Sequence, residues 1–127
     1  MKKLTVTDLL KNKEQYQVNK DVKEELFIER LDSSITIKKP ERSLCLEAFE
    51  LANDKNRVGE SDVFMVYNIV VEPNLKDAQL QKEFGCVEPT DIVSKIFEAG
   101  EIVQISKAGL DLAGYTKGVN KVKDIKN

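Results

Sequence analysis

The sequence predicts a predominantly helical α+β fold, with a short N-terminal β-hairpin followed by a compact set of about five helices. Three observations support this prediction. In "ELFIERLDSSITIKK" (25–39), apolar residues alternate with polar ones, which is the period of half-buried strands. Later segments repeat apolar residues every three or four positions, as amphipathic helices do. Two Glu-Pro dipeptides, at 72–73 and 88–89, divide those segments, because proline disfavours helical geometry in the residue before it.

Length and charge are those of one ordinary domain. The chain has 127 residues, is 41% hydrophobic and 33% charged, and carries a net charge of -2. We expect a single domain over 1–127, with a partly flexible segment over 1–24, in which Thr7 caps a short helix, and a basic, frayed tail over 116–127. The acidic balance argues against a nucleic-acid partner. No apolar run approaches the roughly 20 residues that span a bilayer, so we expect no membrane partner.

Few residues in this chain are suited to catalysis or metal binding. With no histidine, the chain has neither a Ser-His-Asp nor a Cys-His arrangement, and two thiols cannot complete a four-ligand zinc site. We interpret Cys45 and Cys86 as small buried hydrophobes of a reducing, cytosolic protein. The acids Glu47, Glu50 and Asp54 are interpreted as a solvated helix face rather than a metal site. We predict no enzyme activity, no metal and no cofactor.

The first regular elements are the two strands of the hairpin. Leu26 and Ile28 in one run, and Ile35 and Ile37 in the next, are predicted to face the core. Asp32-Ser33-Ser34 separates the runs and is the predicted turn. A single hairpin is not stable alone, so it must pack on helices or extend another sheet.

The most apolar segment is "VFMVYNIVV" at 63–71, in which only Asn68 is clearly polar. A helix that is apolar on nearly all sides is buried or covered by a partner. Ser61 as N-cap favours a helix here, while the β-branched residues leave a buried strand open as the alternative. Glu72 would end this helix, and Asn74 would cap the next.

Three further helices are predicted, over about 75–84, 89–98 and 101–114. The second carries an apolar stripe formed by Ile92, Val93, Ile96 and Phe97. A DNA-binding helix-turn-helix at "FGCVEPTD" is disfavoured, because its second helix, counted from Glu88, would carry Glu88, Asp91 and Glu98 against one lysine and repel phosphate.

Four segments resemble one phage protein family, and their order and spacing carry the resemblance. They are "VVEPNLKDAQLQKEFG", "VEPTDIVSKIFEAGEI", "LAGY" and the terminal "VKDIKN". Together they resemble the XkdN-like tail assembly chaperones of long-tailed phages and related prophages, over about residues 62–127. The likeness is looser over the hairpin.

The resemblance implies a chaperone role in the bacterial host cytoplasm. Members of this family bind the long, helical, aggregation-prone tape measure protein, keep it soluble and help recruit tail tube subunits around it. They are absent from the finished virion, and in many such phages a ribosomal frameshift adds a second domain to a minor product. The family offers no catalytic motif to transfer.

A partner groove is our hypothesis for how such a chaperone binds. The tape measure helix exposes apolar stripes, which an apolar groove on the chaperone would shield. We place this groove at five large apolar residues: Phe64, Tyr67, Ile96, Phe97 and Val103. Self-association is left open. The alternatives are a structural tail component that stays in the virion and a small regulatory interaction protein.

Overall fold

The computed structural model describes residues 1–125 and confirms a mixed α+β fold with more helix than strand. The strands are β1 (Lys23–Ile28), β2 (Ser33–Lys38) and β3 (Val70–Glu72). The α-helices are α1 (Val6–Lys11), α2 (Lys13–Tyr16), α3 (Arg42–Ala52), α4 (Glu60–Ile69), α5 (Ala78–Glu83), α6 (Asp91–Ile96) and α7 (Ala99–Leu112). The described residues thus hold seven α-helices rather than about five, because two short ones precede the hairpin. The last two residues of the predicted basic tail lie outside the described part of the chain.

The predicted β-hairpin is confirmed. All six residues of β1 pair antiparallel with β2, and the sheet order is β1-β2-β3. The turn lies earlier than the predicted Asp32-Ser33-Ser34, because Ser33 and Ser34 already pair with β1 as the first residues of β2. A short 3-10 turn at Glu29–Leu31 closes the hairpin instead, and Asp32 then adopts left-handed geometry with φ 47°. Aspartate is among the few residues other than glycine that adopt this geometry readily, so the turn suits the sequence. Three of the four residues predicted to face the core are buried, Ile28, Ile35 and Ile37, and the fourth, Leu26, is half-buried.

The apolar run at 63–71 is divided between a helix and a strand. α4 ends at Ile69, and the chain passes directly into β3, which pairs antiparallel with β2. The prediction that one helix continues to Glu72 is therefore wrong. The β-branched Val70 and Val71 favour the extended backbone that completes the sheet, so the helix and strand interpretations each describe part of the run.

The start of α4 also differs from the prediction. Gly59 is the N-cap, in left-handed geometry with φ 86°. Ser61 lies inside the helix, where its hydroxyl donates a hydrogen bond to the carbonyl oxygen of Ala48 at 2.7 Å. The serine therefore ties α4 to α3 instead of capping α4.

Two other predicted caps lie near the correct position but on the wrong residue. Thr5, not Thr7, caps α1. Asp77, not Asn74, caps α5, with its carboxylate accepting from the backbone N–H of Leu80 at 2.8 Å. The side-chain oxygen of Asn74 instead accepts a hydrogen bond from the backbone N–H of Lys76 at 3.1 Å, in the turn that comes before α5. In both places the chain offers two capping residue types within a few positions, and the sequence pattern does not distinguish them.

The core lies where α4 meets the sheet and the helices α3, α6 and α7. Gly109 allows α7 to approach α4 closely, because a Cβ atom built on it would lie only 2.6 Å from Cδ1 of Ile69. The largest fully buried side chains are Ile37, Met65, Ile69, Leu75, Ile92 and Ile105.

The two cysteines are free thiols. Cys45 is fully buried, as predicted, and burial raises the pKa of its thiol. Cys86 is only half-buried. Near Cys45, the ring of Tyr115 packs edge-on against Phe49 with ring centroids 5.1 Å apart, which holds the start of the C-terminal tail on α3.

The first twenty residues add nothing to this core. They comprise α1, α2 and the connecting chain, and no residue among them is buried. We refer to residues 1–20 as the N-terminal arm. The predicted short N-terminal helix is confirmed as α1, while α2 is a second helix in the segment over 1–24 that we predicted to be partly flexible.

Candidate functional site

A first cleft lies where α6 passes into α7, and we call it the α6–α7 cleft. Only Phe97 and Glu98 separate the two helices, and both have extended backbone geometry. The cleft has a volume of about 310 Å³. Its apolar wall is formed by Ile96, Phe97 and Ile102, and charged side chains including Arg30 stand at its rim. An apolar wall with a charged rim is typical of a surface that binds another protein.

A second cleft lies between β1 and α7, and we call it the β1–α7 cleft. It has a volume of about 480 Å³. One wall is the strand segment from Glu25 to Glu29, and the other is a face of α7 that includes Gln104, Ile105 and Ala108. Because β1 is the edge of the sheet, this cleft opens along an unpaired strand edge.

An ion pair stands between the two clefts. Arg30 lines the first and Glu101 lines the second, and their side chains are joined by hydrogen bonds of 2.9 and 3.1 Å. Arg30 also donates to the carbonyl oxygen of Ile96 at 2.7 Å. The backbone N–H of Glu98 donates to the Glu101 carboxylate at 2.8 Å, so one carboxylate both begins α7 and holds the hairpin turn against it.

This arrangement lowers the pKa of Glu101, first through the hydrogen bond from Arg30 and then through the backbone N–H of Glu98. A carboxyl group whose pKa is lower in the folded state stabilises the fold above its unfolded pKa, and this contribution is lost as the pH falls through the folded pKa. We therefore expect Glu101→Gln to be less stable than the wild type at about pH 7, and the difference to shrink as the pH falls from about 5 toward 2. Urea unfolding at a series of pH values measures this.

Glu29→Gln is the matched control, because Glu29 is exposed and has no ion-pair partner within residues 1–125. Its stability should follow that of the wild type at every pH. A Glu101→Gln deficit of equal size in acid and at neutral pH would contradict the assigned role of the ion pair.

The five residues of the predicted groove are distributed over three helices and one connection. Ile96 and Phe97 are brought together in the α6–α7 cleft, although Phe97 is only 4% exposed. Val103 is 54% exposed on α7 and stands one turn after Ala99, which lines that cleft. Residues four apart on a helix share a face, so Val103 extends the apolar surface of the cleft along α7.

The other two predicted residues, Phe64 and Tyr67, lie one turn apart on α4, away from both clefts. Both are half-buried, and neither is among the residues that line the two clefts. The Nζ atom of Lys76 lies 5.2 Å from the centre of the Tyr67 ring, in cation–π geometry. Asn68 donates to the carbonyl oxygen of Phe64 at 2.9 Å, which is a bond within the helix.

Two residues at the clefts escaped the sequence prediction. Phe27 is 61% exposed and lines the β1–α7 cleft. The strand period contained a signal for it, since a strand that turns Leu26 and Ile28 inward must turn Phe27 outward. Arg30 was not recognised, because its partner Glu101 is 71 residues away and no local pattern connects the two.

Some other site classes have little support in the described residues. Within residues 1–125, no group of three or more His, Cys, Asp or Glu side chains is placed to hold a metal ion. Asp54, predicted to share a helix face with Glu47 and Glu50, lies beyond the end of α3, and its side chain accepts a hydrogen bond from the backbone N–H of Asn56. Over the same residues, no helix has both the length and the apolar character needed to cross a membrane.

Comparison with known protein families gives a match over the second half of the chain. The sequence model of the phage XkdN-like tail assembly chaperone protein family matches residues 53–126, which is more than half of the chain. The matched region starts just after α3 and includes the α6–α7 cleft, apart from Arg30. No curated protein and no solved structure matches the chain.

Proposed function

Because the chain belongs to the phage XkdN-like tail assembly chaperone family, we propose that it binds the tape measure protein, keeps it soluble and helps recruit tail tube subunits. Its role is non-enzymatic. We propose that it acts in the host cytoplasm during tail assembly and leaves before the virion is complete. The sequence resemblance implied the same role, and the family match over residues 53–126 supports it.

The main support for a binding site is the surface at the start of α7. It combines the apolar wall of the α6–α7 cleft with Val103, a large apolar side chain that its own chain leaves half exposed. Between them lie Ala99 and Gly100, both exposed and small. Small residues let a partner helix approach closely, because the distance between packed helix axes depends on the side chains at the contact.

The proposed mechanism is shielding by complementary apolar surfaces. A tape measure helix would place apolar side chains against Ile96 and Val103, next to Phe97 in the apolar wall of the cleft. Removing those side chains from water prevents them from associating with one another. Many copies along the helix would add their effects, so each contact needs only moderate affinity. Phe64 and Tyr67 remain a second proposed contact, on α4.

The test is co-expression of a tape measure fragment with the Val103→Asp variant. A carboxylate at the centre of an apolar contact must be desolvated without a partner, so we expect binding to weaken by on the order of tenfold or more. The soluble fraction of the fragment, and its co-purification with the chaperone, should fall accordingly. Val103→Asp should itself stay folded, because the position is exposed.

Val58→Asp is the matched control, since Val58 is 83% exposed in the connection before α4. It should solubilise the fragment as well as the wild type does. Equal solubility with Val103→Asp would contradict the α7 surface. Phe97→Asp is unsuitable here, because an aspartate at this buried position would unfold the chain. Mass spectrometry of purified virions distinguishes a chaperone from a structural tail component, which would be found in the particle.

A further inference from the structure

The N-terminal arm carries an apolar stripe that no other described residue covers. Val6, Leu9 and Leu10 of α1 are 41–77% exposed. Their spacing of three and four residues places them on one side of the helix. A six-residue helix is far too short to be stable alone in water. An exposed apolar stripe on such a helix indicates a surface that packs against something else.

The start of α1 is nevertheless well defined locally. Thr5 and Asp8 form a capping box, in which each side chain accepts a hydrogen bond from the other residue's backbone N–H, at 3.2 and 3.0 Å. The hydrogen bond from the backbone N–H of Thr5 lowers the pKa of the Asp8 carboxyl group, so this bond favours the ionised, capping form. A helix that is partly organised before binding loses less conformational entropy when it docks.

The β1–α7 cleft offers a surface of matching character. The backbone N–H of Lys39 donates to the carbonyl oxygen of Val22 at 2.8 Å, which sets the phase of the hairpin hydrogen bonds. Because bonded and non-bonded pairs alternate along an antiparallel ladder, Glu25 and Phe27 direct their backbone N–H and C=O groups away from β2. Both residues line the cleft. An unpaired edge beside an exposed phenylalanine is a surface that proteins normally cover.

The charges of the arm and the cleft are opposite. Residues 1–20 hold five lysines against two acids. The cleft carries Glu25 and Glu29 along β1, and neither forms an ion pair within residues 1–125. Lys3 and Lys11 flank the apolar stripe in the sequence, so an arm that places this stripe in the cleft brings lysines toward these carboxylates.

We propose that the N-terminal arm of one copy binds in the β1–α7 cleft of a second copy. Val6, Leu9 and Leu10 would pack against Phe27 and the apolar face of α7, with the arm's lysines facing the acidic strand. These opposite charges favour a second copy as the occupant, because each copy carries both the basic arm and the acidic cleft. The arm also leaves its own cleft uncovered. Within one chain, Nζ of Lys39 donates a hydrogen bond to the carbonyl oxygen of Asn19 at 2.8 Å. This bond fixes the end of the arm beside the open end of the hairpin, away from its turn. This contact between copies does not involve the tape measure protein.

The test is a complementation experiment on the full chain, read by analytical ultracentrifugation. One variant, Leu9→Asp with Leu10→Asp, has a defective arm and an intact cleft. The other, Glu25→Lys with Glu29→Lys, has an intact arm and a defective cleft. All four positions are exposed, so both variants should keep the unfolding midpoint of the wild type. Each alone should self-associate at least about tenfold more weakly than the wild type.

An equimolar mixture of the two variants should restore association, because it contains one intact arm and one intact cleft. Val87→Asp, at an exposed position between α5 and α6, should associate like the wild type. A wild-type chain that stays monomeric on the order of 0.1 mM would overturn the proposal. The proposal would also be overturned if either variant alone associated as strongly as the wild type, or if the equimolar mixture stayed monomeric. Since the tape measure assay uses a different surface, failure here leaves that proposal standing, and the reverse also holds.

Discussion

Ile37→Ala is expected to lower the free energy of unfolding by about 2–5 kcal/mol. Ile37 is fully buried on β2, the central strand, where Glu24 and Val70 flank it in the sheet. Truncation to alanine leaves a cavity at the place where the sheet meets the helices, and paired strands on both sides restrict its collapse. A domain of this size has a total stability of about 5–15 kcal/mol, so the loss is a large share of it. Urea unfolding followed by far-UV circular dichroism measures the change.

Ser34→Ala, on the same strand, is the control for Ile37→Ala. Ser34 is exposed and pairs with Phe27, so its truncation should change stability by less than about 0.5 kcal/mol. If both variants unfold at the same urea concentration, the sheet does not contribute to the core as described.

Gly109→Ala is expected to have the second-largest effect, because overpacking at this position costs about 1–3 kcal/mol. The added methyl group would meet Cδ1 of Ile69 at 2.6 Å, and because Ile69 is fully buried, its side chain must repack inside the core to clear the methyl group. The better helix propensity of alanine, about 1 kcal/mol, offsets only part of this cost. The measurement is again the free energy of unfolding in urea.

Ile69→Val offers a direct check of that contact, because it removes the Cδ1 atom itself. Alone it should cost about 0.5–1.5 kcal/mol. Combined with Gly109→Ala, it should restore part of the lost stability, with a coupling of about 0.5–3 kcal/mol. Gly100→Ala is the control on the same helix, since a Cβ there meets nothing within 4 Å. It should be neutral or stabilising. Strict additivity of the two substitutions would contradict the close approach of α4 and α7.

Local patterns in the sequence predicted the hairpin and most of the helices. The alternation around Ile35 and Ile37 is a property of neighbouring residues, and the structure confirms it. The end of α4 was missed, because whether Val70 continues a helix or joins a sheet depends on β2, more than thirty residues earlier. Intrinsic β propensity is a weak guide when a partner strand decides the outcome.

The candidate site was predictable only in part, for the same reason. Ile96 and Phe97 are adjacent in sequence, and the apolar stripe that contains them pointed to the surface they now line. The division between core and surface was not predictable, since Phe97 and Val103 are both large apolar residues and only packing buries one of them. The pairing of Arg30 with Glu101 depends on the fold bringing the hairpin turn to the start of α7.

Because β3 comes late in the sequence, the sheet can be completed only after the hairpin, α3 and α4 have been synthesised. The hairpin partners are adjacent in sequence and can pair early, whereas β3 follows β2 only after α3 and α4. At a translation rate of about 5–20 residues per second, one edge of β2 stays without its partner for roughly 2–6 seconds on the ribosome. During this interval the nascent chain of this tail assembly chaperone itself presents an open strand edge.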